Sequence, residues 1–265
     1  MKGTAKGRAE KKSEEFRISS RLRQHEKVLA QRKKRSLISS VILGGQDGIV
    51  NVLGVLLAVA FATNNPIVVI IAGVAAAATE SISMLAVAYT SARAEEDYYK
   101  GEEEREAHEI DEIPEIEREE VRRIYYEKGF RGEQLESIVR TITSNKDTWT
   151  EVMMREELEM EKVDLGFAKK KSLIVGLSVI SGSIFPLIPF ILALPQLGSI
   201  LPVVEAAYLA AASSISALFL AGFFKAKLTT GTPWKSGLEM ASVGAGACAL
   251  SYAVGVIMRA TFGTV

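Results

Sequence analysis

SSVILGGQDGIVNVLGVLLAVAFA, at residues 39–62, is the most informative segment of this sequence. It is apolar and long enough to cross a bilayer as one helix. Its first half nevertheless carries an acid, Asp47, among three glycines at positions 44, 45 and 48. A charged side chain at membrane depth costs about 2.5–3.5 kcal/mol on insertion scales, and such residues usually face a bundle interior or an aqueous cavity. The stretch therefore predicts a membrane protein in which Asp47 lines an ion or proton path.

Four more apolar segments follow, which gives five predicted membrane spans. They cover residues 37–62, 67–92, 172–194, 200–224 and 237–258. Pro186 and Pro189 are expected to interrupt the third span, because proline removes a helix hydrogen bond. The predicted fold class is all-α: a polytopic membrane protein with five transmembrane helices and a helical insert between helices two and three. The predicted domains are an arm at 1–35, spans at 36–92, the insert at 93–171 and spans at 172–265.

Charge is segregated along the chain, although Lys+Arg and Asp+Glu each number 32. Residues 1–35 form a basic arm that favours contact with anionic lipid, and no nucleic acid is expected as a partner. His25 in this arm is interpreted as a solvated residue. The insert ends in three lysines at 169–171, and the loop from Lys225 to Lys235 is also basic. The positive-inside rule therefore places the N-terminus and the insert in the cytoplasm. We expect no cleavable signal peptide, and the single cysteine, Cys248, excludes an internal disulfide.

The insert is predicted to be helical throughout. Pro114 ends its first helix, and a second helix over 115–128 stops at Gly129. A third helix is predicted over 132–143. The Thr148 to Glu151 pattern indicates a capping box that starts a fourth helix, which is expected to run towards the third span.

Carboxylates and thioethers at helical spacing are the candidate metal ligands of the insert. They are Glu106, Glu109, Glu117, Glu120, Met153, Met154 and Glu157. Side chains three or four residues apart share a helix face. A thioether beside a carboxylate suits Fe²⁺ better than Mg²⁺ or Ca²⁺, which prefer oxygen ligands alone. The alternative is that the glutamates form a solvated face and the methionines pack in a core.

The second span offers two further candidate ligands. Glu80 and Met84 lie four residues apart and share a face, so together with Asp47 they predict a carboxylate–thioether site in the membrane. Core packing is the alternative for Met84. Two other acids, Glu205 and Glu239, lie near the ends of the fourth and fifth spans and are expected at an interface.

In combination, these motifs resemble the vacuolar iron transporter family over about residues 36–258. The residues that carry the resemblance are Asp47-Gly48, Ser83-Met84, the Glu-rich insert with MMREEL at 153–158, and Pro186 with Pro189. The resemblance implies a five-span homodimer with a cytoplasmic three-helix metal-binding domain. It implies transport of Fe²⁺ out of the cytosol in exchange for protons, with Mn²⁺, Zn²⁺ and Co²⁺ as further candidate ions. It also implies a vacuolar or prokaryotic plasma membrane, no enzyme activity and no prosthetic group.

Residue by residue, the resemblance assigns Asp47 and Met84 to the translocation path and the seven insert residues to metal binding. The sequence departs from the family at one point. Many members carry Gly-Glu one turn after the methionine of the second span, where this chain has Val87 and Ala88. Glu80, one turn to the other side of Met84, is the candidate replacement for that carboxylate.

Two other functions remain open at this point. A membrane-anchored iron oxidase or iron store would need paired Glu-x-x-His motifs. The one histidine of the insert, His108, has Arg105 three residues before it, so the motif is absent. A metal-regulated relative that does not transport is the other alternative, and it would account for the missing carboxylate at Ala88.

Overall fold

The structure is a computed structural model that describes residues 36–198, 200–228 and 231–263. Within these ranges it contains eight α-helices and no strand. The helices are α1 Ser36–Thr63, α2 Pro66–Glu112, α3 Pro114–Glu127, α4 Gly132–Ile142, α5 Lys146–Val152, α6 Leu165–Leu192, α7 Val203–Leu228 and α8 Pro233–Phe262. The predicted basic arm and His25 lie outside the described residues.

Five of these helices, α1, α2, α6, α7 and α8, are long and apolar enough to cross a membrane. The all-α class and the five predicted spans are therefore confirmed. The helix that contains the second span does not end near residue 92: α2 runs over 47 residues, from Pro66 to Glu112. At 1.5 Å per residue this helix is about 70 Å long. The second span and the first insert helix are thus one continuous helix.

The predicted interruption of the third span is wrong. Pro186 and Pro189 both lie inside α6, which continues to Leu192. Each proline removes one backbone N–H from the hydrogen-bond ladder, but helices in membrane bundles tolerate this loss when their neighbours hold them in place. Leu187 and Phe190, beside the two prolines, are buried in the core and supply such contacts.

The chain divides into two compact units. One comprises residues up to Leu85 and from Lys171 onwards, and the other is Ala86–Lys170. We call the described part of the first the membrane unit, and the second the insert unit.

The core of the membrane unit is built around α1. Val52, Leu53 and Leu56 of this helix are fully buried, and side chains from α2, α6 and α7 complete the same apolar cluster. The outward faces are also apolar: Ile82 is 70% exposed and Leu250 is 69% exposed. Such faces are suited to lipid, as expected for spanning helices.

Glycines bring α1 and α6 into backbone contact. A Cβ atom at Gly48 would lie 2.2 Å from the carbonyl oxygen of Val179, and one at Gly182 would lie 2.2 Å from that of Gly45. Only glycine allows two helices to approach this closely. This crossing fixes the part of α1 that carries Asp47 against α6.

The insert unit has a small core of its own. It contains Ile110, Val121, Leu135, Val139, Ile142, Trp149 and Met153. The stop predicted at Gly129 is present: α3 ends at Glu127, and Gly129 takes a φ of 101°. Tyr125 and Tyr126 then accept backbone hydrogen bonds from Phe130 and Gly129, which closes the helix end.

The start and length of the fourth insert helix differ from the prediction. Asn145, rather than Thr148, is the N-cap of α5, and its side chain accepts a hydrogen bond from the Thr148 backbone N–H at 2.9 Å. The helix ends at Val152 and passes into a π-helical turn, Met153–Glu157. Residues 158–164 are not helical, so α5 does not run on into α6.

Candidate metal centres

Two acids from neighbouring helices meet in the membrane unit. The side chains of Asp47 on α1 and Glu80 on α2 are close enough for their carboxyl groups to interact electrostatically. Asn51 donates a hydrogen bond from Nδ2 to Asp47 Oδ1 at 3.1 Å. Asp47 Oδ2 is buried and accepts no hydrogen bond from any N–H or O–H group of the described residues. Two carboxylates this close repel each other unless a proton or a cation lies between them.

The glycine crossing explains why these two acids meet. Gly44 and Gly48 lie one turn apart and place one face of α1 directly against α6. Asp47 is one residue before Gly48, about 100° round the helix, so it lies to one side of that contact. On the other side, α2 is tied to α6 by a hydrogen bond from Ser81 Oγ to the Gly176 carbonyl at 2.8 Å. The residue before Ser81 is Glu80, which reaches Asp47.

The other membrane candidates are placed less closely. Met84 is half-buried on α2, one turn after Glu80. Glu205 lies in the first turn of α7 and Glu239 lies near the start of α8, and both are exposed. The structure therefore brings together Asp47 and Glu80, with Met84 on the next turn of the same helix.

In the insert unit, all five candidate glutamates interact electrostatically. They are Glu106, Glu109, Glu117, Glu120 and Glu157. Burial raises the pKa of Glu106 to about 7, against the opposing charge of Arg105 and with the charge of Glu157 adding to the rise. Burial also raises the pKa of Glu117 to about 7, and the charges of Glu120 and Glu106 raise it further. The cluster therefore holds more negative charge than its buried surroundings favour.

Glu157 completes this cluster from the π-helical turn. Burial and the charge of Glu120 raise its pKa, while Arg123 and Arg105 lower it. Its Oε2 atom and that of Glu117 are buried and have no hydrogen-bond partner in the described part of the chain. Buried carboxylate oxygens without a donor are suited to a cation. Among the described residues, no three His, Cys, Asp or Glu side chains are already arranged to hold a metal ion.

Sequence reasoning missed the cation of this cluster. Arg105 forms ion pairs with Glu106 at 2.8 Å, with Glu109 at 2.9 Å and with Glu102 at 2.8 Å. Its spacing from Glu102 and Glu109, three and four residues, was the available signal. The same four-residue spacing links Asn51 to Asp47, which sequence reasoning also missed. His108, the residue considered for an oxidase motif, is exposed and lies 3.4 Å from Glu112.

The two methionines of the insert unit lie in different surroundings. Met153 and Met154 are 0% and 1% exposed and open the π-helical turn, a type of turn that is frequent at functional sites. Met153 packs in the apolar core. Met154 lines a cavity of about 680 Å³ together with Tyr99 and Glu103. Met153 is thus a core residue, whereas Met154 is a buried residue at the wall of this cavity.

Comparison with known proteins shows similarity along most of the chain. Residues 38–256 match the sequence model of the VIT family. The chain is 29% identical to vacuolar iron transporter 1 of Arabidopsis thaliana over 223 residues, which cover 84% of this chain and 86% of that protein. It is 29% identical to a vacuolar iron transporter of Centaurea cyanus over 234 residues, covering 86% and 92%. It is 31% identical to a vacuolar iron transporter of Toxoplasma gondii over 228 residues, covering 85% and 76%.

Proposed function

The chain belongs to the VIT family, and from this premise we propose that it transports divalent metal, chiefly Fe²⁺, out of the cytosol in exchange for protons. The names of its relatives, vacuolar iron transporters, support iron as the cargo. The observation that carries the proposal is the Asp47–Glu80 carboxyl pair, held between two apolar helices. It is a transporter rather than an enzyme, with metal as substrate.

The charge of this pair supplies a mechanism for exchange. One divalent cation or two protons neutralise the two carboxylates equally well, so metal and protons compete for the same oxygens. Fe²⁺ enters the pair from the cytosol, and protons from the other side displace it. Met84, one turn along α2, adds a soft thioether that favours Fe²⁺ over Mg²⁺ and Ca²⁺. In this chain Glu80 takes the place of the carboxylate that is missing at Ala88.

The insert unit collects the metal before transport. Its five glutamates, with Met154, form a cytoplasmic site for Fe²⁺. The unpartnered oxygens of Glu117 and Glu157 support this assignment, because a bound cation would offset the cost of burying them. Mn²⁺, Zn²⁺ and Co²⁺ are the other candidate ions of such a site. We further propose a homodimer in a vacuolar or prokaryotic plasma membrane, with the N-terminus on the cytoplasmic side.

Transport into proteoliposomes with an acidic interior tests this function. We expect the wild-type protein to drive Fe²⁺ uptake that collapses when the pH gradient is dissipated. Asp47→Asn and Glu80→Gln should each reduce uptake to background, because either change leaves one charge to balance a divalent ion. Glu239→Gln is the matched control, since it removes an acid that is exposed on α8. Uptake by Asp47→Asn equal to that of the wild type would refute the role of the pair.

A further inference from the structure

Asn51 is a polar residue in a place where the membrane favours an apolar one. It lies in α1, between apolar neighbours, and its side chain is exposed on the surface of the membrane unit. Among the described residues, its side chain forms one hydrogen bond, from Nδ2 to Asp47 Oδ1 at 3.1 Å. An amide in an apolar setting is costly unless it is hydrogen-bonded. Asp47, the acid of the candidate path, therefore supplies the hydrogen-bond acceptor that the Asn51 amide needs.

This hydrogen bond determines which oxygen of Asp47 is available. Oδ1 is occupied by the Asn51 amide, whereas Oδ2 is buried and receives no donor from the described N–H and O–H groups. The carboxyl of Glu80, on the neighbouring helix α2, interacts electrostatically with Asp47. Asn51 and Asp47 are four residues apart on one helix, so this hydrogen bond does not depend on the positions of the other helices.

We propose that Asn51 is a positioning residue of the metal path, which fixes the Asp47 carboxylate so that one of its oxygens remains free to share a cation with Glu80. The proposal rests on the proposed function and adds a residue to it. Because Nδ2 is the donor, the amide oxygen of Asn51 takes no part in this hydrogen bond. It can accept a hydrogen bond from a water molecule that accompanies the ion. An aliphatic residue at position 51 would suit the apolar surroundings but would leave the Asp47 side chain free to rotate.

Two variants separate positioning from simple packing. Asn51→Leu has nearly the same size but no donor, whereas Asn51→Gln keeps an amide donor on a longer side chain. Ser216→Ala is the control, because it removes another exposed polar group of a span, a hydroxyl that donates a hydrogen bond to the Ala212 carbonyl of its own helix at 2.8 Å. Initial rates of Fe²⁺ uptake are measured in proteoliposomes over a range of Fe²⁺ concentrations, together with the thermal stability of each purified variant.

We expect Asn51→Leu to raise the KM for Fe²⁺ about tenfold, as for loss of a hydrogen bond to a charged group. The maximal rate and the thermal stability should change little, and Asn51→Gln should recover most of the affinity. A KM for Asn51→Leu equal to that of Ser216→Ala would overturn the proposal. Equal losses in both Asn51 variants, together with lower stability, would also overturn it. Failure of the proposed function is distinguishable, because the wild type would then show no uptake driven by the proton gradient.

Discussion

At the scale of single residues, both candidate centres depend on carboxylates that are kept from full solvation. Glu106 and Glu117 are 2% and 3% exposed, and Asp47 has one buried oxygen that receives no donor from the described residues. A buried carboxylate is stable only when it is protonated or paired with a cation. In the metal-free protein the charge of these residues therefore lowers stability, and a cation bound as proposed would recover that energy.

Glu117→Gln is expected to stabilise the metal-free protein at pH 8 and to have little effect at pH 5. Burial raises the pKa of Glu117 to about 7 from its ordinary value of 4.5. Between these two values the folded protein holds a proton that the unfolded chain has released, so stability falls as the pH rises through this window. Above pH 7 the full cost, on the order of 2 kcal/mol, is present in the wild type and absent from the variant.

Thermal unfolding of the full chain in detergent with a chelator measures this effect. Glu104→Gln is the control, because Glu104 is an exposed acid of α2 in the same unit. A loss of stability for Glu117→Gln that is the same at both pH values would contradict the prediction.

A bound metal ion should make the wild type more thermally stable than Glu117→Gln, the reverse of their order without metal. Mn²⁺, used as an air-stable probe, is expected to raise the melting temperature of the wild type by several degrees at pH 7.5 and much less at pH 5.5. Protons compete with metal at the lower pH because Glu106 and Glu117 have pKa values of about 7. Glu117→Gln should gain little from Mn²⁺ at either pH. An equal gain for the variant and the wild type would exclude Glu117 as a ligand.

At the scale of helices, the contact of α1 with α6 sets the geometry of the membrane centre. Gly48→Ala would place a methyl group 2.2 Å from the Val179 carbonyl oxygen, so the two backbones must separate. We expect a loss of stability of about 1–3 kcal/mol, as for other overpacked contacts, and a marked loss of transport because Asp47 moves with α1. Gly246→Ala on α8 is the matched control, since among the described residues nothing outside the local backbone of α8 lies within 4 Å of its added Cβ. Thermal unfolding and Fe²⁺ uptake measure both effects, and equal stability of the two variants would count against a tight crossing.

Sequence patterns predicted most of the helices, and the exceptions have physical causes. Apolar length predicted the five spans, and Pro114 and Gly129 predicted the two ends of α3, because these signals are local. The continuity of α6 through Pro186 could not be predicted, since it depends on the neighbours that hold the helix. The same applies to the π-helical turn that begins at Met153, a residue buried in the core of the insert unit.

At the scale of the whole molecule, the two compact units carry different kinds of ligand environment. The membrane unit offers a pair of carboxyls, Asp47 and Glu80, whereas the insert unit offers five glutamates with Arg105 among them. Helical spacing predicted the glutamates of each group. That Asp47 meets Glu80 could not be read from spacing, because it requires α1 and α2 to be docked by the glycines and Ser81 described above. The proposed function gives the units separate tasks, collection and translocation.

This division predicts that the tasks can be separated by mutation of the full chain. A variant in which all five insert glutamates are changed to glutamine should retain Fe²⁺ transport at saturating Fe²⁺ but require about tenfold more Fe²⁺ for half-maximal rate, equivalent to about 1.4 kcal/mol of lost affinity. Asp47→Asn should abolish transport at every concentration, because the translocation site itself is lost. Uptake into acid-loaded proteoliposomes over a range of Fe²⁺ concentrations measures both. If the insert variant instead lost its maximal rate with an unchanged half-saturating concentration, the insert unit would take part in translocation itself, and the assignment of collection to it would be wrong.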